Sequence, residues 1–418
     1  MRIRCLGGCR EVGGNAFLLD GKEKILLDYG VMVEDQRMPL KPERVDICLL
    51  AHAHLDHSGS IPALARMRVP PPVFSTAVTF DQARLVLKDS MKIARLKNMP
   101  QNYTKHEMDR MESYGVRVVY GETVDTKSGS IQVLDAGHIP GSCMFIIETE
   151  GKRILYTSDF GVQDSRLCKG ADVKKIKDID IVITESTYAN RDHAPRKEIE
   201  KDFLESVRST IANEGIALIP SFALGRSAEL LLILDSMKSD FPIYLDGMAK
   251  EATKIVADYP EFIRDAQALK KAMKRVEFIT SDEERKKAMK KPCAIVTTGG
   301  CIDGGPAVMY IKHLWNRPEC SLMFTGYQIP RTAGRYLLDT GRFVNEEMDL
   351  KIAMNIKHFD FSAHIGRNDL FDFINKIRPQ HVVCMHGESC QRFATEIRGR
   401  FAGVDAQAPK IGDVLEFK

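Results

Sequence analysis

No stretch of this 418-residue chain approaches the roughly 18 uninterrupted apolar residues of a membrane-spanning helix, and no long apolar run follows Met1-Arg2-Ile3-Arg4. A helical membrane protein and a secretory leader are therefore not expected, and a soluble cytoplasmic protein is. The 10 cysteines contain no Cys-x-x-Cys, the nearest pairs being Cys5 with Cys9 and Cys384 with Cys390. That spacing speaks against a disulfide framework or a thiolate zinc site and for buried, reduced thiols. An excess of one charge is also missing: the formal net charge is +3. Composition thus supplies no broad nucleic-acid footprint, and any RNA-binding surface has to come from local clustering. Internal repeats, low-complexity tracts and long linkers are absent. The glycine-rich run Gly7 to Gly14 lacks the Gly-Lys-Ser/Thr ending and following helix of a phosphate loop, so it reads as a tight turn in a sheet.

What is present is a hydrophobic content of 44%, enough for full globular cores over two or three domains, and one dense cluster of metal-binding residue types. His52-Ala53-His54-Leu55-Asp56-His57 sets three imidazoles and a carboxylate in six residues directly after the apolar Val45 to Ala51. Imidazole nitrogen and carboxylate oxygen are the donors that zinc accepts. The spacing lets His52 and His54 face one ion while Asp56 and His57 face a second.

Each metal needs about four ligands, so later segments must reach back to this loop. Three residues stand at the ends of β-like stretches: His138 after Ile131 to Ala136, Asp159 after Arg153 to Ser158, and His386 after His381 to Met385. His138 is expected with the first metal, His386 with the second, and Asp159 as the carboxylate between them.

Asp28 in Leu26-Leu27-Asp28-Tyr29-Gly30, the histidine loop, His138 and Asp159 resemble, in their order, the four motifs of the metallo-β-lactamase superfamily. Glu185 in Thr184-Glu185-Ser186-Thr187-Tyr188, His364 in Asp360-Phe361-Ser362-Ala363-His364, and His386 resemble the further motifs of its β-CASP nucleases. A histidine at the last of these is the RNA-processing form, where DNA-repair members carry valine. The chain is similar in particular to archaeal ribonucleases related to the cleavage and polyadenylation specificity factor nuclease, in a short form without KH domains.

The resemblance implies an α/β fold, a metallo-β-lactamase αββα sandwich with an inserted β-CASP parallel-sheet domain and a cleft between the lobes. It also implies two Zn2+ ions, single-stranded RNA as substrate, and in-line attack on phosphorus that leaves a 5′-phosphate and a 3′-hydroxyl. In this reading His364 protonates the departing oxygen, Glu185 orients it, Asp56 serves as ligand and catalytic group, and Asp28 hydrogen-bonds the ligand loop. A homodimer or association with other RNA-processing proteins is compatible with it. The segment Ala363-His364-Ile365-Gly366 departs from the Gly-His-Ala-Ser of ribonuclease J members, which weighs against 5′-monophosphate-dependent exonuclease action over internal cleavage.

The pattern along the chain agrees with an insertion. Short β segments run to Tyr188, strands and helices then alternate as in a parallel sheet, and strand-and-loop character returns near Leu350. The expected domains are residues 1–188, 189–350 and 351–418, the last completing the first. Candidate RNA contacts are Arg226 and Glu229 in Gly225-Arg226-Ser227-Ala228-Glu229, Gly326 and Tyr327 after a strand, and Ser362. Lys270 to Lys291 carries nine basic and four acidic residues, a net of 9 − 4 = +5, as a second candidate surface. Rival readings are a small-molecule hydrolase of the same superfamily, which has no use for the inserted lobe, and a non-catalytic RNA-processing scaffold, which would have lost ligands that are all present here.

Overall fold

The structure, a computed structural model, describes residues 1–238 and 240–417. They form two compact units, one of residues 1–164, 168–192 and 363–418, the other of residues 165–167 and 193–362.

The first unit is built on two seven-stranded sheets. One runs Val414–Glu416, Arg2–Gly7, Ala16–Asp20, Lys24–Leu27, Ile47–Leu49, Val73–Ser75, Gly115–Arg117; the other runs Asp405–Gln407, His381–Met385, Ile181–Glu185, Lys152–Tyr156, Cys143–Thr149, Gly129–Asp135, Thr123–Asp125. Their inner faces share one core in which Ile3, Phe17, Leu27 and Leu49 meet Phe145, Ile154, Tyr156, Ile183 and Met385. Alternate residues of each strand point inward, as the two-residue period of a strand requires. On the outer face of the second sheet, Leu155, Val182, Val382 and Cys384 pack with Phe371, Phe373, Ile374, Phe393 and Ile397 from helices Arg367–Ile377 and Cys390–Arg400. Helix Ala77–Leu96 buries Val78, Phe80, Ala83, Val86, Leu87, Met91 and Ala94 at the three- and four-residue spacing of one helical face. Its Phe80 ring lies over Gly115 of the first sheet. The result is an αββα sandwich.

The second unit carries a parallel sheet in the order Val276–Phe278, Ile243–Asp246, Cys293–Thr298, Ile216–Ser221, Ser321–Phe324, Asn355–His358. Every residue of Ile216–Ser221 and Cys293–Thr298 is buried, the mark of strands covered on both faces. This unit extends beyond Leu350, where the sequence pattern sets its end, because Asn355–His358 pairs with Ser321–Phe324 as the edge strand. A two-stranded antiparallel ribbon, Arg342–Val344 with Asp349–Lys351, precedes that strand. None of the ten cysteines, all among the described residues, forms a disulfide, and nine are buried. No helix among the described residues is long and apolar enough to cross a membrane.

Candidate metal centre

The histidine loop begins just after strand Ile47–Leu49, and Leu55–Ser58 form a single helical turn. Backbone bonds pin it to neighbouring segments: Asn15 N–H donates to Asp56 O at 2.8 Å and Tyr29 N–H to His57 O at 2.9 Å. Gly30 is required for this approach, since a Cβ there would lie 1.7 Å from Asp56 O. The Gly7 to Gly14 turn also contributes to the site, because Gly8 O accepts His386 N–H at 2.8 Å and Glu11 O accepts Gly387 N–H at 3.0 Å.

One donor group comprises His52, His54, His138 and Asp159. His52 Nε2 lies 3.0 Å from His54 Nδ1, and His138 Nε2 lies 3.3 Å from the same atom. Nitrogens on a tetrahedral site with metal bonds of roughly 2.0–2.1 Å are separated by roughly 3.3 Å, so these spacings fit a four-coordinate metal ion. Burial holds all three rings below the usual histidine range, His54 at about 4. Three ring nitrogens thus crowd together with little tendency to take up protons, an arrangement that a cation satisfies.

A second group comprises Asp56, His57 and His386. Asp56 Oδ2 is 3.1 Å from His386 Nε2 and 3.9 Å from His57 Nε2. Asp159 touches both groups, with Oδ2 3.6 Å from His52 Nε2 and 3.3 Å from His57 Nε2, and Oδ1 3.0 Å from His386 Nδ1. Burial pushes His57 and His386 down, but Asp159 and its companion carboxylates more than offset it, raising both rings and taking His386 to about 10. Burial pushes Asp159 up, and His386 and His57 reverse this, so the carboxylate stays ionised. In this part of the site the ring charges stand where a cation's charge would otherwise balance the aspartates.

Asp28 lies behind His57. Its Oδ2 is 2.6 Å from His57 Nδ1 and accepts Tyr156 Oη–H at 2.6 Å and Ser158 Oγ–H at 3.2 Å, while Oδ1 accepts Ala51 N–H at 2.7 Å. Asp28, Ser158 and His386 all sit in left-handed backbone conformation, at φ 54°, 49° and 46°. Left-handed backbone is costly for a non-glycine residue, and three of the described residues that adopt it cluster at this centre.

His364 joins the same centre. Its Nδ1 is 2.9 Å from Glu185 Oε2 and 4.0 Å from Asp159 Oδ2. Glu185 is fully buried, and its Oε1 accepts Phe160 N–H at 2.8 Å. Burial lowers the His364 pKa, but Glu185 and Asp159 outweigh it, so the ring is raised above the ordinary value and favours the proton.

Three family models match the chain: a metallo-β-lactamase superfamily domain over residues 17–187, a Beta-Casp domain over 227–337, and a Zn-dependent metallo-hydrolase RNA specificity domain over 349–409. A probable ribonuclease of Methanocaldococcus jannaschii, RNase MJ4, is 37% identical over 99% of this chain and 100% of its own length. The chain belongs to the β-CASP branch of the metallo-β-lactamase superfamily. Other relatives of this β-CASP protein include RNase aCSPSF2 of Saccharolobus solfataricus, 34% identical over 99% of this chain and 85% of its own, and the transcription termination factor FttA of M. jannaschii, 32% identical over 96% and 69%. A protein of unknown function from Enterococcus faecalis shares the fold, with a TM-score of 0.65 at 13% identity over 99% of both chains.

The sequence-predicted ligands of the β-CASP protein, with Asp28, Glu185 and His364, all lie in the first unit and converge. The candidate RNA contacts lie in the second unit and differ among themselves. Tyr327 is exposed and Gly326 and Ser362 are half-buried, whereas Glu229 is only 4% exposed. Glu229 is paired with Arg226 and Arg196 and accepts Arg166 N–H, so it is a buried ionic hub. In the basic segment, Arg285 is bound in two-pronged fashion to the buried Asp246 at 2.7 and 3.0 Å, and Arg275 to Asp235 at 2.8 Å, so two of the nine cations serve the fold. Sequence reasoning did not single out Asn15, whose Nδ2 is 2.8 Å from His57 Nε2, or Thr187, whose Oγ1 is 3.1 Å from His386 Nδ1. Thr187 was within a quoted motif; Asn15 follows two glycines and carries no signal.

Proposed function

We propose that this chain is a zinc-dependent ribonuclease that hydrolyses phosphodiester bonds of single-stranded RNA in the cytoplasm. The observation that carries the reading is the Glu185–His364 pair beside the histidine and aspartate cluster. A small-ester hydrolase has no task for such a pair. Two of the relatives are named as ribonucleases over nearly their full lengths, and the C-terminal match is to an RNA specificity domain, which supports RNA as the substrate class.

His52, His54 and His138 would hold one zinc, Asp56, His57 and His386 the other, with Asp159 shared. When bound, zinc lowers the pKa of a water to about 7 and neutralises charge on a phosphodiester. Asp28 holds His57 by Nδ1, which supports Nε2 as the ligating atom. Glu185 takes His364 Nδ1–H, which leaves Nε2 for proton transfer in this reading. As the water oxygen bonds to phosphorus and gives up a proton to solvent, the bond to the 3′-oxygen breaks and His364 delivers its own proton to that oxygen, leaving a 3′-hydroxyl and a 5′-phosphate. The first unit is the catalytic domain in this reading, and the second is a domain for RNA.

The test is incubation of zinc-loaded protein with internally labelled and 5′-labelled RNA. Zinc-dependent cleavage to 5′-phosphorylated products is expected, and the two labels separate internal from end-directed cutting. Turnover of a small ester with intact RNA would overturn the proposal.

A further inference from the structure

The large exposed hydrophobic side chains of the first unit are all aliphatic, whereas those of the second include three aromatics: Phe222 at 37%, Tyr327 at 41% and Tyr336 at 46% exposure. Phe222 directly follows strand Ile216–Ser221, and Tyr327 follows the neighbouring strand Ser321–Phe324 by three residues. The two therefore emerge from the same ends of adjacent parallel strands.

Two glycines lie against the Phe222 ring. A Cβ added to Gly326 would lie 3.0 Å from Phe222 Cε2, and one on Gly300 would lie 3.4 Å from its Cδ1, so at these two positions the ring is bordered by residues without side chains. These loops are fixed. Buried Gln328 donates from Nε2 to Gly300 O at 2.9 Å, His358 Nε2 is 3.0 Å from Gly326 O, and Ser227 Oγ–H donates to Phe222 O at 2.8 Å. Thr325 Oγ1–H ties one strand end to the other through Pro220 O at 3.2 Å. Arg331, in the loop that follows Tyr327, is also exposed.

An open aromatic face on a rigid, side-chain-poor backbone is a surface on which a planar group can stack. An aliphatic partner surface would call for aliphatic neighbours, and the one other large exposed hydrophobic residue described in this unit, Val344, lies on the separate two-stranded ribbon. Unpaired bases stack on such side chains whatever their identity, and a nearby arginine meets the phosphates between them. We propose that Phe222 and Tyr327 form a base-stacking platform for single-stranded RNA. This rests on the ribonuclease reading and adds to it the residues by which the second unit grips unpaired bases.

The test titrates fluorescent oligouridylate and oligoadenylate of roughly a dozen nucleotides into metal-free, full-length protein. Phe222→Leu and Tyr327→Leu keep apolar bulk but remove the ring. Each should weaken binding of both oligomers by about five- to a hundredfold, with the salt dependence unchanged because no charge is lost. Phe222→Trp should bind at least as tightly as wild type, and its added emission should be quenched by RNA. Leucine variants that bind like wild type, or a tryptophan emission indifferent to bound RNA, would overturn the platform while leaving the ribonuclease reading intact. If the leucine variants fail to fold, the tryptophan emission decides alone. Wild-type protein that neither binds nor cuts RNA would remove both proposals.

Discussion

Glu185 Oε2 stands 2.9 Å from His364 Nδ1, and the opposite oxygen of the same carboxylate is tied to Phe160 N–H at 2.8 Å. A fully buried carboxylate bonded at both oxygens fixes the ring that it touches. His364→Ala should lower RNA cleavage by about a hundredfold or more, the usual worth of a general acid, without changing zinc content. Kinetics beside elemental analysis would check this. Loss of metal from the variant would reassign His364 as a ligand.

Asp28 predicts a different signature. It bonds His57 Nδ1, Tyr156, Ser158 and Ala51 N–H from a position with no direct place among the metal donors. Asp28→Asn keeps the shape but replaces an acceptor of charge-assisted bonds, so zinc affinity should fall by about 10- to 100-fold at one site only. Competition with a graded series of chelators would resolve the two sites. Equal weakening of both would place its effect on the fold as a whole.

Much of the centre was legible in the sequence because the histidine loop is compact: four donors in six residues leave few other tasks for them. His138, Asp159 and His386 were legible as strand-end residues, and the structure brings them to the loop because Gly129–Asp135, Lys152–Tyr156 and His381–Met385 share one sheet. Asn15 was not legible, since its contact with His57 is created by the approach of Asn15 N–H to Asp56 O across the fold and not by any local pattern. The burial of Glu229 was not legible for a related reason. Motif position says that a charge matters, but only packing shows whether it faces water or Arg196. The end of the second unit was set too early because Asn355–His358 is a short, mostly exposed edge strand that lacks the apolar run of its neighbours.

The burial of Glu229 makes it a stability residue. Burial pushes its pKa up, but Arg196 and Arg226 more than offset this, so the folded-state value lies below the ordinary glutamate one. A lowered folded pKa contributes stability that is fully present above the unfolded value, about 4.3, and is lost as pH falls through the folded value. Glu229→Ala strands two arginine side chains and should cost about 3–5 kcal/mol of unfolding free energy at neutral pH, with less difference from wild type in acid. Denaturant unfolding at a series of pH values would check both parts. A surface residue would change stability little at any pH.

Metal removal should also register in stability, because the donors come from four separate segments of the first unit and a bound ion favours the folded state that assembles them. Chelation should lower the melting temperature, and added zinc should restore it. A melting temperature unchanged by either would show that the donor cluster does not bind zinc in the native protein.

The most direct measurement is RNA cleavage followed while zinc is returned stepwise to metal-stripped protein. Two donor groups that share Asp159 should leave the protein inactive without zinc and give full cleavage only as bound metal approaches about two ions per chain. Full cleavage at one ion per chain, or cleavage by the metal-free protein, would contradict the two-zinc ribonuclease.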